Sequence, residues 1–131
     1  VMFEQKQCAA CDELHQDILR RPAVRKSFEQ FDVALIDLWS KAPLITPNGE
    51  KIKADAWVKR IGVQHAPTLA FFDQQGGEVF RTEAFLKTFH THAALDYVLS
   101  GDYKKQPEFQ RYVQARADEM EAKGIHIDLM E

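Results

Sequence analysis

The sequence has few cysteines, no long hydrophobic run and no strong excess of charge. Its 131 residues include 2 cysteines, too few for the disulfide framework of a small secreted domain. No apolar stretch approaches the roughly 20 residues of a membrane-spanning helix. A formal net charge of −3 gives no reason to expect nucleic acid or an anionic membrane surface as a partner. Nucleic-acid binding and membrane insertion are therefore not expected.

The composition is that of an ordinary globular chain. Apolar residues make up 45% and charged residues 28%, which suits one domain with its own core. The sequence starts with Val1 rather than methionine, and Val1 reads as part of a strand. We therefore expect the chain to be a mature or trimmed product.

The two cysteines form a C-x-x-C motif between a short apolar run and a helical pattern. Residues 1–3 read as the end of a buried strand, and Leu14 and Ile18 mark a helix by their spacing of four. Cys8 then lies at the first helical turn, where free N–H groups and the helix dipole favour a thiolate. Cys11 lies one turn later on the same face, within reach of a disulfide. This arrangement suits thiol–disulfide exchange.

Other uses of the C-x-x-C spacing can be compared with this one. Haem attachment needs histidine directly after the second cysteine, where the chain has Asp12. A zinc site of Cys8, Cys11 and His15 would be incomplete unless His65 closed it. We therefore interpret His15 as a half-exposed helix residue. The alternative function is a binding module, or a copper or zinc carrier, that uses Cys8, Cys11 and a histidine.

Strand and helix patterns alternate along the rest of the chain. An apolar run over 33–39 predicts a central strand that is covered on both faces. A second buried strand is expected over 68–72, and a hairpin turn over 73–77 leads to a third over 78–81. Helices are predicted over 22–30, 54–61, 85–99 and 107–123. A small hairpin of residues 44–46 and 51–53 is expected in the connection between 39 and 54.

The alternation of strands and helices predicts an α/β fold. We predict one domain over residues 1–131, with its core at 1–101 and an extension at 102–131. The terminal helix should pack through Phe109, Tyr112 and Val113.

The motifs together resemble the thioredoxin family. The resemblance implies a central mixed sheet flanked by helices, with the small hairpin as an insertion after the second strand and a C-terminal helical extension. The resemblance covers residues 1–99 and depends on C-A-A-C at a helix start, Ala66-Pro67-Thr68 before a strand, and a Gly-Gly hairpin. The insertion and the tail are similar to the SoxW-type thioredoxin-related proteins of the bacterial periplasm. The resemblance implies a periplasmic, monomeric thiol–disulfide oxidoreductase without a cofactor. Its partners would be protein disulfides and an upstream electron donor.

The resemblance also implies roles for individual residues. Cys8 matches the attacking cysteine, Cys11 the resolving cysteine, and Pro67 the cis-proline that faces the disulfide. Ala66 would then present backbone groups to an extended substrate strand. His65 either contacts partners or is a solvated loop residue.

The chain departs from the family pattern inside and around the motif. Gln7 stands where the family has tryptophan, and Ala9-Ala10 stands where thioredoxins have Gly-Pro. Strongly oxidising relatives carry a histidine between their cysteines, and two alanines offer no such charge to a thiolate. We therefore expect a reductant or a moderate exchanger rather than a strong oxidant.

A further departure concerns the acid that serves the resolving cysteine. Met2 stands where the family has a buried carboxylate, and methionine cannot accept a proton. Strand periodicity places Glu4 on the same face as Met2 if the strand continues that far. Our hypothesis is that Glu4, or a water molecule that it holds, takes the proton from Cys11. The alternative is a solvated loop glutamate.

Overall fold

The computed structural model describes residues 1–129. Met130 and Glu131, the end of the predicted extension, lie outside the described residues. The chain forms two compact units. The first unit comprises Val1–His15 and Asp32–Phe85, and the second comprises Gln16–Phe31 and the residues from Leu86 onward.

The first unit is built on a mixed sheet. Its strands are β1 (Met2–Glu4), β2 (Leu35–Asp37), β3 (Pro43–Ile45), β4 (Lys51–Lys53), β5 (Thr68–Phe72) and β6 (Glu78–Thr82). Within the described residues, four strands form one sheet in the order β2-β1-β5-β6, and β3 and β4 form a separate hairpin. β1 pairs with β2 in parallel and with β5 in antiparallel orientation. The helices are α1 (Ala9–Gln16), whose last residue belongs to the second unit, and α3 (Ala54–Ile61).

Aromatic packing between β1, α3 and β5 forms the core of this unit. Phe3 is fully buried, and its ring centroid lies 5.5 Å from that of Trp57. Trp57 in turn lies 5.9 Å from Phe72 by the same measure. Val58 and Ala70 complete the contact surface. Each large side chain that is fully buried stabilises the fold by about 1.5–3 kcal/mol.

The prediction of a central, doubly covered strand over residues 33–39 is wrong. β2 comprises only Leu35–Asp37 and lies at the edge of the sheet, and Val33 and Leu35 are 47% and 61% exposed. Ile36 faces the core instead. The strand ends early because the Asp37 carboxylate accepts a hydrogen bond of 2.8 Å from the backbone N–H of Trp39, a local bond that favours a turn.

The β3–β4 hairpin packs closely against a glycine of the main sheet's β5–β6 turn. Gly76, in the turn between β5 and β6, has a φ of 86°. A Cβ atom at this position would lie 2.6 Å from the carbonyl oxygen of Pro47 and 2.7 Å from the Cα of Asn48. Pro47 and Asn48 form the tip of the β3–β4 hairpin, so the hairpin tip packs on the bare Gly76 backbone.

We predict that Gly76→Ala will destabilise the protein more than Gly49→Ala does. Gly49 also has a positive φ, of 92°, but a Cβ atom there would meet nothing within 4 Å. Both variants therefore carry a left-handed backbone cost of about 1–2 kcal/mol, and Gly76→Ala adds a backbone collision. Urea unfolding of both variants measures the difference, and equal losses would contradict the close approach.

In the part of the second unit that the structure describes, the regular elements are helices and no strand is present. The helices are a short 3-10 helix (Ile18–Arg20), α2 (Pro22–Phe28), α4 (Thr88–Leu99), a second 3-10 helix (Asp102–Lys104) and α5 (Phe109–Ala122). The predicted terminal helix is present as α5. Its Phe109 and Tyr112 rings lie 5.3 Å and 4.7 Å from the ring of the buried Tyr97 on α4, and Val113 is buried. None of the helices over residues 1–129 combines the length and apolar character that a membrane crossing requires.

A charged network links three helices of this unit. The Asp96 carboxylate accepts hydrogen bonds from Ser27 Oγ at 2.6 Å and from Arg116 Nη2 at 2.8 Å. His92 Nε2 lies 3.3 Å from the same carboxylate, and its Nδ1 lies 3.4 Å from Arg116 Nη2. Burial lowers the pKa of His92, and Arg116 lowers it further, against the opposing effect of Asp96. The folded state therefore favours the neutral imidazole.

The lowered pKa of His92 predicts that the protein loses stability in mild acid. The unfolded state binds a proton near pH 6.5 and the folded state only at lower pH. The stabilisation of the folded state by the neutral His92 is therefore complete above about pH 6.5 and is lost as the pH falls below that value. Urea unfolding from about pH 8 to about pH 5 should show a smaller loss in His92→Gln than in the wild type. His126→Gln removes a histidine whose side chain is 88% exposed and should keep the wild-type loss. An unchanged profile in His92→Gln would contradict the assignment.

Candidate active site

The two cysteines follow a sharp reversal of the chain after β1. Gln7 has a φ of 52°, in the left-handed region that residues other than glycine rarely adopt. Cys8 comes next and directly precedes α1, and its carbonyl oxygen accepts a hydrogen bond of 3.0 Å from the N–H of Asp12. The first cysteine therefore stands at the start of a helix, with its side chain beside the first helical turn.

Cys8 and Cys11 are joined by a disulfide. Their sulfur atoms are 2.09 Å apart and their Cα atoms 5.2 Å apart. The backbone N–H of Cys11 donates a hydrogen bond of 3.1 Å to Cys8 Sγ. Cys8 is 8% exposed and Cys11 is 2% exposed. After reduction, this N–H and the helix dipole favour a thiolate at Cys8, whereas Cys11 stays covered.

The loop that precedes β5 lies at the same end of the sheet as the cysteine loop. β1 and β5 pair with Phe3 opposite Thr68, so Pro67 follows the end of β1 that leads to Cys8. The Ala66–Pro67 peptide bond is cis. The Thr68 hydroxyl donates a hydrogen bond of 2.6 Å to the carbonyl oxygen of His65 and closes the loop. Pro67 is buried, Ala66 is half-buried and His65 is exposed.

Glu4 is the last residue of β1, so the strand does extend as far as the hypothesis for Glu4 requires. Its carboxylate is hydrogen-bonded to Nε2 of His15, near the end of α1. The Glu4 side chain is 13% exposed and the His15 side chain 41%. Sequence reasoning identified both residues but missed the bond between them. The spacing of residues along a strand or a helix does not show which residue of one element faces which residue of the other.

An open groove borders the cysteine loop. It has a volume of about 450 Å³ and is lined by Gln5, Lys6, Asp37, Trp39 and Ser40. Trp39 is 76% exposed, and its indole N–H donates a hydrogen bond of 3.2 Å to the side-chain oxygen of Gln5. Sequence reasoning missed this feature because Trp39 was assigned to a buried strand. Through its bond to Gln5, the exposed Trp39 ring lies beside the segment that leads to Cys8.

The metal-carrier alternative would need more ligands than the two cysteines. Over residues 1–129, no three side chains of histidine, cysteine, aspartate or glutamate gather where they could hold a metal ion. The cysteines bond to each other, and His15 bonds to Glu4.

A mixed sheet that ends in a cysteine pair at a helix start, beside a cis-proline loop, defines a thioredoxin-like α/β fold. The chain belongs to the thioredoxin-like family, since the family model described as a thioredoxin-like domain matches residues 1–99. It is also similar to the solved structure of a thioredoxin-fold protein from Helicobacter pylori. The two sequences are 16% identical, and the structures superpose with a TM-score of 0.75. The match covers 89% of this chain and 82% of that one. No curated protein matches the chain.

The fold and the cysteine pair are together compatible with thiol–disulfide oxidoreductase activity. A disulfide at a helix start places one sulfur where an incoming thiolate can attack it, and after reduction a thiolate at the same position can attack a partner disulfide. The difference in exposure between the two cysteines gives them unequal chemistry, because the thiolate that reacts must be reachable.

We predict that Cys8 will be the faster of the two thiols in the reduced protein. Iodoacetamide labelling followed by mass spectrometry should show Cys8 modified well before Cys11, because Cys8 has the greater exposure and the helix start. In the same way, Cys11→Ser should accumulate mixed disulfides with partner proteins, whereas Cys8→Ser should trap none. Equal labelling rates for the two thiols would contradict the assignment of Cys8 as the more reactive thiol.

Proposed function

We propose that the protein reduces disulfides in partner proteins through the Cys8–Cys11 pair. The observation that carries this proposal is the disulfide at the start of α1, with Cys8 more exposed than Cys11. A redox pair of this kind needs no organic cofactor, because the dithiol itself holds the two electrons.

The reaction follows in two steps from the positions of the sulfur atoms. The Cys8 thiolate attacks one sulfur of the partner disulfide, a bond forms between Cys8 and the partner, and the released partner sulfur takes up a proton. Cys11 then attacks Cys8 Sγ, and the Cys8–Cys11 disulfide forms as the second partner sulfur leaves with its electron pair and takes up a proton. Two electrons pass from the dithiol to the partner.

The residues between the cysteines favour the reducing direction. A dithiol becomes a strong oxidant when its thiolate form is heavily stabilised, since this lowers the free energy of the reduced state. Ala9 and Ala10 bring no charge or polar side chain to Cys8. The stabilisation that remains comes from the helix start and from the N–H of Cys11.

A protein partner suits the surroundings of the cysteines better than a small thiol does. The exposed His65 and the half-buried Ala66 precede Pro67, and we propose that their backbone binds an extended segment of the partner. The groove beside Trp39 adds an open surface for side chains that flank the partner's cysteine. An extended peptide gains affinity from such main-chain and pocket contacts together.

The likeness to SoxW-type proteins and the periplasmic location are predictions from the sequence resemblance. In that setting the protein would act as a monomer, and an upstream electron donor would reduce the Cys8–Cys11 disulfide after each cycle. A small-molecule thiol and a donor protein are both chemically able to do this by the same exchange.

The reduction potential tests the proposed direction. Equilibration of the Cys8–Cys11 pair in dithiothreitol and glutathione buffers should give a potential near that of thioredoxin, about −270 mV, and far below the roughly −120 mV of a strong oxidant. Ala10→His should shift the potential upward, because an imidazolium stabilises the Cys8 thiolate. Ala122→His, a substitution at the end of α5, serves as the matched control and should leave it unchanged. A wild-type potential close to that of a strong oxidant would refute the reducing role.

A further inference from the structure

We propose that His15, held in place by Glu4, accepts the proton from the Cys11 thiol in the second step of the reaction. This inference rests on the proposed disulfide reduction and assigns a base to it. It also revises the hypothesis for Glu4, which becomes a positioning residue rather than the proton acceptor itself.

The second step needs a base more than the first step does. Cys8 stands at the helix start, where the N–H of Cys11 and the dipole favour its thiolate. Cys11 is 2% exposed, and burial disfavours a charged sulfur. A side chain that takes the Cys11 proton at the moment of attack avoids a free buried thiolate.

His15 lies one helical turn after Cys11 on the same face of α1. Side chains four residues apart on a helix have Cβ atoms about 5–6 Å from each other. Helix side chains also lean toward the helix N-terminus, so a residue covers the turn that precedes its own Cα. From this spacing we infer that the His15 side chain lies over the turn that carries Cys11.

Glu4 fixes the orientation and the proton of the His15 ring. The carboxylate is hydrogen-bonded to Nε2, and a carboxylate accepts hydrogen bonds, so the neutral ring carries its proton on Nε2. Nδ1 is then the basic nitrogen and is free to accept a proton. A nucleophile, a base and a group that orients the base are the three parts of an activated nucleophile, and here they are Cys11, His15 and Glu4.

Protons and electrons balance in this step. Nδ1 of His15 takes the proton from the Cys11 thiol, and the Cys11 sulfur attacks Cys8 Sγ. The Cys8–Cys11 bond forms and the bond from Cys8 to the partner breaks. The partner sulfur leaves with the electron pair of that bond, and the imidazolium or solvent supplies its proton. The dithiol is oxidised and the partner is reduced.

Carboxylates on two elements lie near this histidine in the fold or in the sequence. Glu4 reaches it from β1. On α1 itself, Asp12 lies one turn before His15 and Glu13 lies two residues before it.

A two-step assay separates this role from the first attack. The reduced protein is mixed with Ellman's reagent, which releases one thionitrobenzoate when Cys8 attacks and a second when Cys11 closes the disulfide. His15→Gln should leave the first release unchanged and slow the second by about 100-fold, the usual size of a general-base contribution. Glu4→Gln should slow the second release by a smaller factor, because the base remains but is less well oriented.

The pH profile supplies a readout that a merely structural role would not change. The wild-type rate of the second release should change with pH in a way that His15→Gln does not reproduce, because the variant has no imidazole to take the Cys11 proton. His126→Gln and Glu121→Gln alter another histidine–glutamate pair, 3.9 Å apart, and should match the wild type.

The possible results distinguish this proposal from the one it rests on. A normal second release with a wild-type pH profile in His15→Gln would overturn the role of His15 and leave disulfide reduction intact. A wild-type protein that releases no second thionitrobenzoate would overturn both. A loss of the first release in His15→Gln, alongside the second, would show a general structural defect and would also count against the assigned role.

Discussion

The position of β1 between two neighbouring strands is the constraint on which the first unit depends. This strand has three residues, yet it pairs with β2 on one side and β5 on the other. Its middle residue, Phe3, sets the register and fills the aromatic core. A shift by one residue would turn Phe3 out of the core and move Glu4 to the opposite face. The same pairing brings the Cys8 loop and the Pro67 loop to one end of the sheet.

Local patterns in the sequence were enough to predict much of this fold. The helix start after Cys8, the apolar stripe of α3 and the short strand after Pro67 each depend on neighbours within a few residues, so their periodicity is visible in the chain. The edge position of β2 was not predictable in this way. A run that is apolar throughout has no alternation, and only the strand order of the folded sheet shows which side is covered.

The candidate site likewise contains features that local sequence patterns predict and features that they do not. The cysteine pair was evident because both residues lie within one helical turn. Strand periodicity put Glu4 on the face of Met2 on the condition that β1 extends to Glu4, which it does. The bond from Glu4 to His15 joins a strand to a helix across 11 positions of sequence, and the close approach of Gly76 to the β3–β4 hairpin joins two separate turns. Such contacts depend on how elements pack, which period and propensity do not encode.

The two tryptophans of the chain give the protein two separate optical reporters. Trp57 is 4% exposed within the core, whereas Trp39 is 76% exposed and bonded to Gln5 near the cysteine loop. The emission wavelength of an indole increases with the amount of water around it. Trp57 in the core therefore contributes the short-wavelength part of the emission spectrum, and Trp39 in the groove contributes the long-wavelength part. Unfolding and events beside Cys8 therefore change different parts of one fluorescence spectrum, and no added dye is needed to follow them.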